Sequence, residues 1–390
     1  MNKRVLVSIE TEKTVDNDNI EAELEGDDSL NATLSPLEGG YPMYNINVER
    51  GFYTVYELKR KYDGNVKRII LDSDFQRESV WKPIQKAELV ESILMGLPLP
   101  IFYFNQDKMG RLIVIDGRQR LTALFEYMSD EWALKGLTVL SELNGKKFSK
   151  LDPIVQSQIE DYQIQAHVIQ PPTPDRIKFN IFDRVNRAGT QLNKQEIRNA
   201  LYQGKATKLL NEIVKSKTFE EATDKAFIKN SRMKDKYIVL RYIAFHLYFK
   251  DELKTEYGIY EYKNDIDELL GVTMEYINNM ANNKVEELYY LVLESLQKTI
   301  DILGANAFRM IRANGSRSPI NMNVFEVLMY LMSKVEVVDH DINNKIRLSV
   351  NDLKNKEEFQ DAIGNHRDNR LKVEKRFSMI NKLLEELYDK

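Results

Sequence analysis

The sequence predicts an α+β protein: an acidic tail over residues 1–43, a mixed-sheet domain over 44–204 and a mostly α-helical domain over 205–390. Three observations predict it. In the first half, short β-branched runs at 66–71, 111–115 and 164–169 alternate with segments whose apolar residues recur at helical spacing. From about Leu209 onward the period is helical almost throughout, most clearly over 237–249, 285–302 and 324–332. Residues 1–40 carry ten acids against three bases and few large apolar side chains, a composition that resists burial.

The elements follow in order. Gly39-Gly40 marks the end of the tail, which is either a solvated leader or a nucleic-acid mimic covering a basic groove. Residues 53–62 read as a helix with Val55, Leu58 and Tyr62 on one face. After the strand at 66–71, the stretch D-S-D-F-Q-R-E-S-V-W is a loop, either a plain surface loop or one that feeds a site, with Arg77 as an anion ligand and Phe75 and Trp81 as its anchors in the core. Pro83 suits a first helical position, Ala87, Val90, Ile93 and Leu94 form a buried stripe, and Gly96 fits the C-terminal cap. The apolar run ending at Phe104 returns as a strand, and Lys108-Met109-Gly110 turns it into the strand at 111–115, so the two should pair.

That strand meets Asp116-Gly117-Arg118-Gln119-Arg120, and Leu121, Leu124, Phe125 and Met128 then set a helical period from near Arg120. A strand that turns through glycine into a helix aims free backbone N–H groups at one point, where the helix dipole favours an anion. Gly117 permits close backbone approach, Arg118 and Arg120 offer planar forks for phosphate oxygens, and Asp116 suits magnesium or a ribose hydroxyl. The plainer reading of the same five residues is a tight turn whose arginines pair with surface acids. Residues 131–150 form a loop-rich insertion, and His167, in the next strand, reads as a sheet position rather than a metal ligand. Pro171-Pro172-Thr173-Pro174 stops that strand, and Ile177, Ile181, Phe182 and Val185 line the following helix. Asn186, Gly189 and Thr190 form a polar loop, then Asn193 and Glu196 have capping-box spacing for a helix over 194–202. Glu196 either caps only or joins a site, with Asn186 and Arg198 facing the same point as Arg120. The connector at 305–320, with Arg309, Arg312, Arg317 and Ser318, reads as a solvated basic segment in preference to a DNA contact.

Composition narrows the function. The chain has 390 residues, 43% hydrophobic and 30% charged, in the ordinary range for globular proteins. It has no cysteine, which removes disulfides, thiolate catalysis and cysteine-ligated zinc and fits a reducing cytoplasm. Four scattered histidines argue against a histidine metal cage. Neither a membrane-length apolar run nor a signal-peptide pattern is present. The net charge of −4 conceals a mildly basic body behind the acidic tail, which permits nucleic-acid contact.

Four motifs stand in one order: D-F-Q-R-x-x-V-W at 74–81, E-S-I-L-x-G-L-P-L-P at 91–100, I-D-G-R-Q-R-L-T-A-L at 115–124, and R-V-N-R-A-G-T-Q-L-N-K-Q-E-I-R-N-A at 184–200. Together they resemble the N-terminal domain of GmrSD-type restriction endonucleases, the DGQQR-motif branch of the ParB/sulfiredoxin-like fold. The resemblance spans roughly residues 53–202. It implies a small mixed sheet with flanking helices whose D-G-x-Q-R turn binds or hydrolyses a nucleoside triphosphate with Mg2+, in prokaryotic defence against phage or foreign modified DNA. Carried over residue by residue, the cofactor-binding set is Arg77, Asp116, Gly117, Arg118, Gln119, Arg120, Asn186 and Thr190. Asp116 would hold the metal, and Asp116, Gln119 and Arg120 would act in hydrolysis, with Gln119 orienting water. Arg118 stands where the family usually has a first glutamine, which adds charge at that point.

The resemblance also implies DNA as a partner, a nuclease supplied in trans, a possible oligomer and no membrane. The family's frequent HNH nuclease half is not apparent: Asp339-His340 and Asn365-His366 lack the proline and asparagine that follow the histidine in that motif. Two other functions stay open. One is a non-catalytic DNA- or protein-binding regulator on the same scaffold. The other, ranked last for want of a carboxylate and histidine cluster, is a ParB-like nuclease.

Overall fold

The structure, a computed structural model, describes residues 24–25, 46–71, 81–186, 193–227, 232–310, 318–336, 340–364 and 366–388. It is an α+β protein with a mixed five-stranded sheet in its first half and helices in its second.

After the two-residue strand β1 (Leu24–Glu25), the sheet begins with β2 (Asn47–Thr54). The sequence gives no clear strand here, because Val48, Arg50 and Phe52 point outward and Gly51 interrupts the alternation. Thr54 ends the strand and caps α1 (Val55–Asp63), its hydroxyl accepting from Glu57 N at 3.0 Å. The strand expected over 66–71 shrinks to β3 (Ile69–Ile70), since Val66 is 73% exposed and Gly64 and Asn65 lie in the preceding turn. α2 (Pro83–Leu94) starts at Pro83 as expected. It ends in a Schellman motif: Leu97 N donates to Ser92 O and Gly96 N to Ile93 O, both at 2.9 Å.

β4 (Phe102–Gln106) and β5 (Leu112–Asp116) form the expected antiparallel hairpin. Its turn is held by Asp107, whose Oδ1 accepts from Met109 N at 2.9 Å and Arg111 N at 2.8 Å. α3 (Arg118–Met128) starts two residues earlier than the apolar period suggests. α4 (Pro153–Glu160), β6 (Gln163–Gln170), α5 (Asp175–Asn186) and α6 (Lys194–Leu201) complete this half. The strand order is β2-β6-β4-β5-β3, with β2–β6 and β4–β5 antiparallel and β4–β6 and β3–β5 parallel. One sheet face packs on α1 to α4 through Val55, Leu58, Val90, Phe102, Phe104, Leu121 and Leu124. The other packs on α5 and α6 through Ile113, Ile115, Ile169, Phe179, Phe182 and Ile197.

The second half holds α7 (Lys205–Val214), α8 (Lys217–Ala222), α9 (Lys234–Phe249), the small hairpin β7 (Lys254–Thr255) and β8 (Gly258–Ile259), and α10 (Ile266–Asn279). It continues with α11 (Asn282–Leu303), β9 (Ile320–Asn321), α12 (Met322–Lys334), α13 (His340–Asn355), α14 (Glu357–Ile363) and α15 (Arg370–Tyr388). α12 is apolar on nearly every side and buried along almost its whole length, so its neighbours wrap it. β1 pairs in parallel with β9. Among the described residues no helix is long and apolar enough to cross a membrane.

The connector expected to be solvated is not, where it is described. Arg309 and Ser318 are buried, and Arg309 Nη1 donates to Ser318 O at 2.5 Å. Lys354 Nζ donates to Ala307 O and Arg309 O at 2.5 and 2.9 Å, so a buried ammonium holds the segment by its carbonyls. Arg312 and Arg317 lie outside the described residues.

Glu326 of α12 joins two buried arginines. Arg241 Nε donates to its Oε2 at 2.9 Å and Arg376 Nε to its Oε1 at 2.8 Å, while Arg241 Nη2 also reaches Asp368 Oδ1 at 2.8 Å. All three of Arg241, Glu326 and Arg376 are fully buried. Glu326→Ala leaves two guanidinium groups buried beside one remaining acid, so it should cost about 3–5 kcal/mol of stability in urea unfolding.

Burial pushes the His246 imidazole down to about 4. The unfolded chain takes up this proton near the ordinary value of about 6.5, so between those two values it binds more protons than the folded chain. Stability therefore falls as pH drops through this window, by up to ~1.4 kcal/mol per pH unit. Urea midpoints measured from about pH 7 to about pH 4.5 should show this loss, and His246→Leu should flatten it.

Candidate functional site

The D-G-R-Q-R turn sits where β5 leaves the sheet. The β4–β5 register sets Phe104 opposite Val114 and Tyr103 opposite Asp116, so Ile115 is an extra residue, a β-bulge at the last step of the strand. The bulge sets Asp116 opposite Tyr103 in the register. Gly117 follows in the left-handed region, φ 92° and ψ 7°, and is the N-cap of α3. A Cβ at Gly117 would lie 2.1 Å from Phe102 Cδ1, so glycine is required by both its backbone angle and the ring beneath it.

Arg120 is 9% exposed and lies over the Phe102 ring, 4.1 Å from its centroid. Its Nη1 donates to the Pro100 carbonyl and its Nη2 to Asp116 Oδ2 at 2.8 Å. Burial lowers the guanidinium below its ordinary range, and the Asp116 carboxylate beside it opposes that shift. Arg120 thus ties the strand end to the segment entering β4. Asp116 has a side chain 35% exposed; Oδ2 is taken by Arg120, and Oδ1 receives no hydrogen bond from a described residue.

Arg118 and Gln119 occupy the first turn of α3, both half-buried. Gln119 Oε1 is buried and meets no donor among the described residues. The first-turn N–H groups of a helix have no intrahelical partner, and the helix dipole favours negative charge at this end of α3. Asp116, Gly117, Arg118, Gln119 and Arg120 therefore stand together by backbone geometry. Asn186 is the last residue of α5, and Arg77 and Thr190 lie outside the described residues.

Two other expectations change. Arg198 does not face Arg120: fully buried, it donates to Gln195 Oε1 and Asp267 Oδ1, each at 2.6 Å, and lies over the Phe179 ring. Its charge is drawn to Asp267 of α10, an acid far along the chain that no local spacing reveals. Glu196 caps α6 through Oε2, which accepts from Asn193 N at 2.7 Å and from Arg232 Nη2 at 3.0 Å, while Oε1 lies 3.5 Å from Arg232 Nε. Sequence reasoning missed Pro100 and Phe102, the partners of Arg120, and Tyr103, opposite Asp116; only their place before the turn hinted at them.

Among the described residues, no group of three His, Asp or Glu is arranged to hold a metal ion. Magnesium is commonly bound by one or two carboxylates with substrate phosphates supplying other oxygens, and Asp116 Oδ1 fits such a role only with a phosphate present. A groove of about 1060 Å3 opens elsewhere, lined among others by Lys108, Phe179, Tyr202, Tyr257 and Glu275. Lys108 sits in the β4–β5 turn, at the end of the hairpin opposite Gly117, so this groove is separate from the D-G-R-Q-R turn.

Residues 58–203 match the family model described as GmrSD restriction endonuclease, N-terminal domain. Residues 58–203 form a GmrSD-type N-terminal domain. The GmrSD match runs from within α1 to just past α6, and so takes in the sheet from β3 through β6, the D-G-R-Q-R turn and both helices of the second sheet face. A GmrSD domain is that of a restriction-system component. No curated protein and no solved structure matches the chain.

The geometry of the turn gives a direct test. Gly117→Ala forces a Cβ into the Phe102 ring and a left-handed residue that costs ~1–2 kcal/mol before any clash. The variant should lose at least ~2 kcal/mol in chemical unfolding, whereas alanine at Gly145, also at positive φ with open space around it, should lose only the backbone part.

Proposed function

We propose that this restriction-system component binds a nucleoside triphosphate at the D-G-R-Q-R turn and uses it as a switch. The observation that carries the reading is the bulge–glycine–helix geometry, which brings together the first turn of α3 and an Asp116 oxygen that no described residue bonds. In this reading the helix end and Arg118 meet phosphate oxygens. Asp116 would hold magnesium, which supplies positive charge against the phosphates. Arg120 acts differently from what its motif suggests. Its bonds to Pro100 and Asp116 make it a positioning residue that fixes the carboxylate. Gln119, whose Oε1 meets no donor among the described residues, is the group left to orient a water or a ligand hydroxyl.

Hydrolysis, sensing of phage or modified DNA, and action on a nuclease in trans extend the same proposal. Its supports are the GmrSD-type domain and the joining of sheet and helices through Asp267, which binds both Lys194 and Arg198 of α6. A nucleotide that reorders the α5–α6 region would move a helix already fastened to α10.

The test is titration of the protein with ATP, GTP, CTP and UTP in magnesium, with calorimetry for binding and phosphate release measured with and without DNA. Binding to at least one of the four is expected, with release that responds to DNA. Arg118→Gln should weaken binding about tenfold or more, the loss of one charge-assisted contact. Binding without release would make the protein a nucleotide-gated regulator. Absence of binding by folded protein would overturn the site.

A further inference from the structure

The sheet register sets four chemically active side chains in one row. Arg50 pairs with His167, His167 with Tyr103, and Tyr103 with Asp116, across β2, β6, β4 and β5. Register partners share a face, so Arg50, His167 and Tyr103 lie on the α5–α6 side of the sheet, and Asp116 stands at the row's end with its carboxylate held by Arg120. The bulge at Ile115 is what brings Asp116 into the row.

The cover of this face stops short of the row's far end. Ile113, Ile115 and Ile169 are buried under α5 and α6. Tyr103 and His167 are half-buried, with ring centroids 5.3 Å apart and planes at 35°. Beyond them Arg50 is exposed and Phe52, in the next row of β2 opposite Gln165, is 64% exposed. In the neighbouring row on the same face, Asn105 is 3% exposed and its Oδ1 has no donor among the described residues. A sheet face that leaves aromatic rings open to solvent beside amide and guanidinium groups has the composition of a platform for a flat, polar-edged ring.

We infer that this row seats the base of the nucleotide whose phosphates lie at the D-G-R-Q-R turn. The inference rests on the nucleotide reading and adds the part of the ligand that reading leaves open. Neighbouring strands lie about 4.8 Å apart, so Tyr103 is about 5 Å and His167 about 10 Å from Asp116 along the row. That is the order of the reach from a nucleotide's phosphates to its base. Tyr103 and His167 supply the stacking surface. Gln165 and Arg50 stand at the outer rim, where the hydrogen-bonding edge of a base would lie, and Phe52 closes that side.

The seat separates base recognition from phosphate recognition, and the experiment uses that separation. The full chain and its Tyr103→Ala, Tyr103→Phe and His167→Ala variants are titrated with the four nucleoside triphosphates and with inorganic tripolyphosphate, and circular dichroism and thermal unfolding establish that each variant is folded. Tyr103→Ala and His167→Ala should each weaken the preferred nucleotide about tenfold or more, in line with one stacking contact, and narrow its lead over the other three. Both should leave tripolyphosphate affinity within about twofold. Tyr103→Phe, which keeps the ring, should bind like the parent. Unchanged nucleotide affinity in both alanine variants would overturn the seat and leave the phosphate site standing. Equal losses for nucleotide and tripolyphosphate would also overturn it, by assigning the row to the fold. Binding of neither probe to the parent would remove the phosphate site and the seat together. A single-stranded oligonucleotide that binds through Tyr103 while nucleotides do not would overturn it in favour of a nucleic-acid strand on the same face.

Discussion

The guanidinium of Arg120 ties three pieces of chain together at one point. It covers the Phe102 ring, donates to the carbonyl of Pro100 and pairs with Asp116. The same ring forbids a Cβ at Gly117. Strand end, turn and helix start are thus fixed against β4 by one charged group and one aromatic face. An arginine so placed has little surface in contact with water, and its charge is balanced by the carboxylate it orients. The candidate site depends on this arrangement because Arg120 is spent in holding it, which leaves the first turn of α3 and Asp116 Oδ1, bonded by no described residue, as the groups of the turn that remain.

Much of the sheet-bearing half was legible because its signals are local. Pro83 at a helix start, Gly96 after a helix end and the Asn193–Glu196 capping box each act within a turn of chain, and each appears where the spacing put it. The hairpin of β4 and β5 was legible for the same reason. What escaped was decided by distant partners. β2 lacks a clean alternation because one of its faces is not covered, and only pairing along all eight residues with β6 makes it a strand. Arg198 and Arg120 look alike in sequence, yet one is drawn to Asp267 and the other to Pro100 and Asp116. Arg309 and Ser318 read as solvent-facing by composition but are buried, with the Arg309 carbonyl held by Lys354 of another helix. Of the site residues, the turn was legible as a unit, whereas the opposition of Tyr103 to Asp116 depends on a bulge that sequence does not announce.

The helical half solves a different problem. Its central helix, α12, is apolar enough to be surrounded, but Glu326 places a full charge inside that core. Arg241 and Arg376 answer it from α9 and α15, and Asp368 balances the second cation. Such a network gives little net stabilisation compared with a purely apolar core, but it allows far fewer alternative packings, because any shift of one helix strands a buried charge. The two halves meet through α6, whose Lys194 and Arg198 both end on Asp267. The helix that forms the end of the fourth motif is therefore part of both structures.

The parallel pairing of β1 with β9 has a topological meaning. Leu24 and Glu25 lie beside Ile320 and Asn321, so the whole sheet and most of the helices hang inside a loop closed by two residues of ladder. Closing so long a loop costs entropy that grows only slowly with length, but the gain from so short a ladder is small. The contact should form last in folding and open first under load, independently of either core. The strand edge at β9 is in effect a latch: with β1 in place it is covered, and with β1 gone it is an open edge that any extended segment can join.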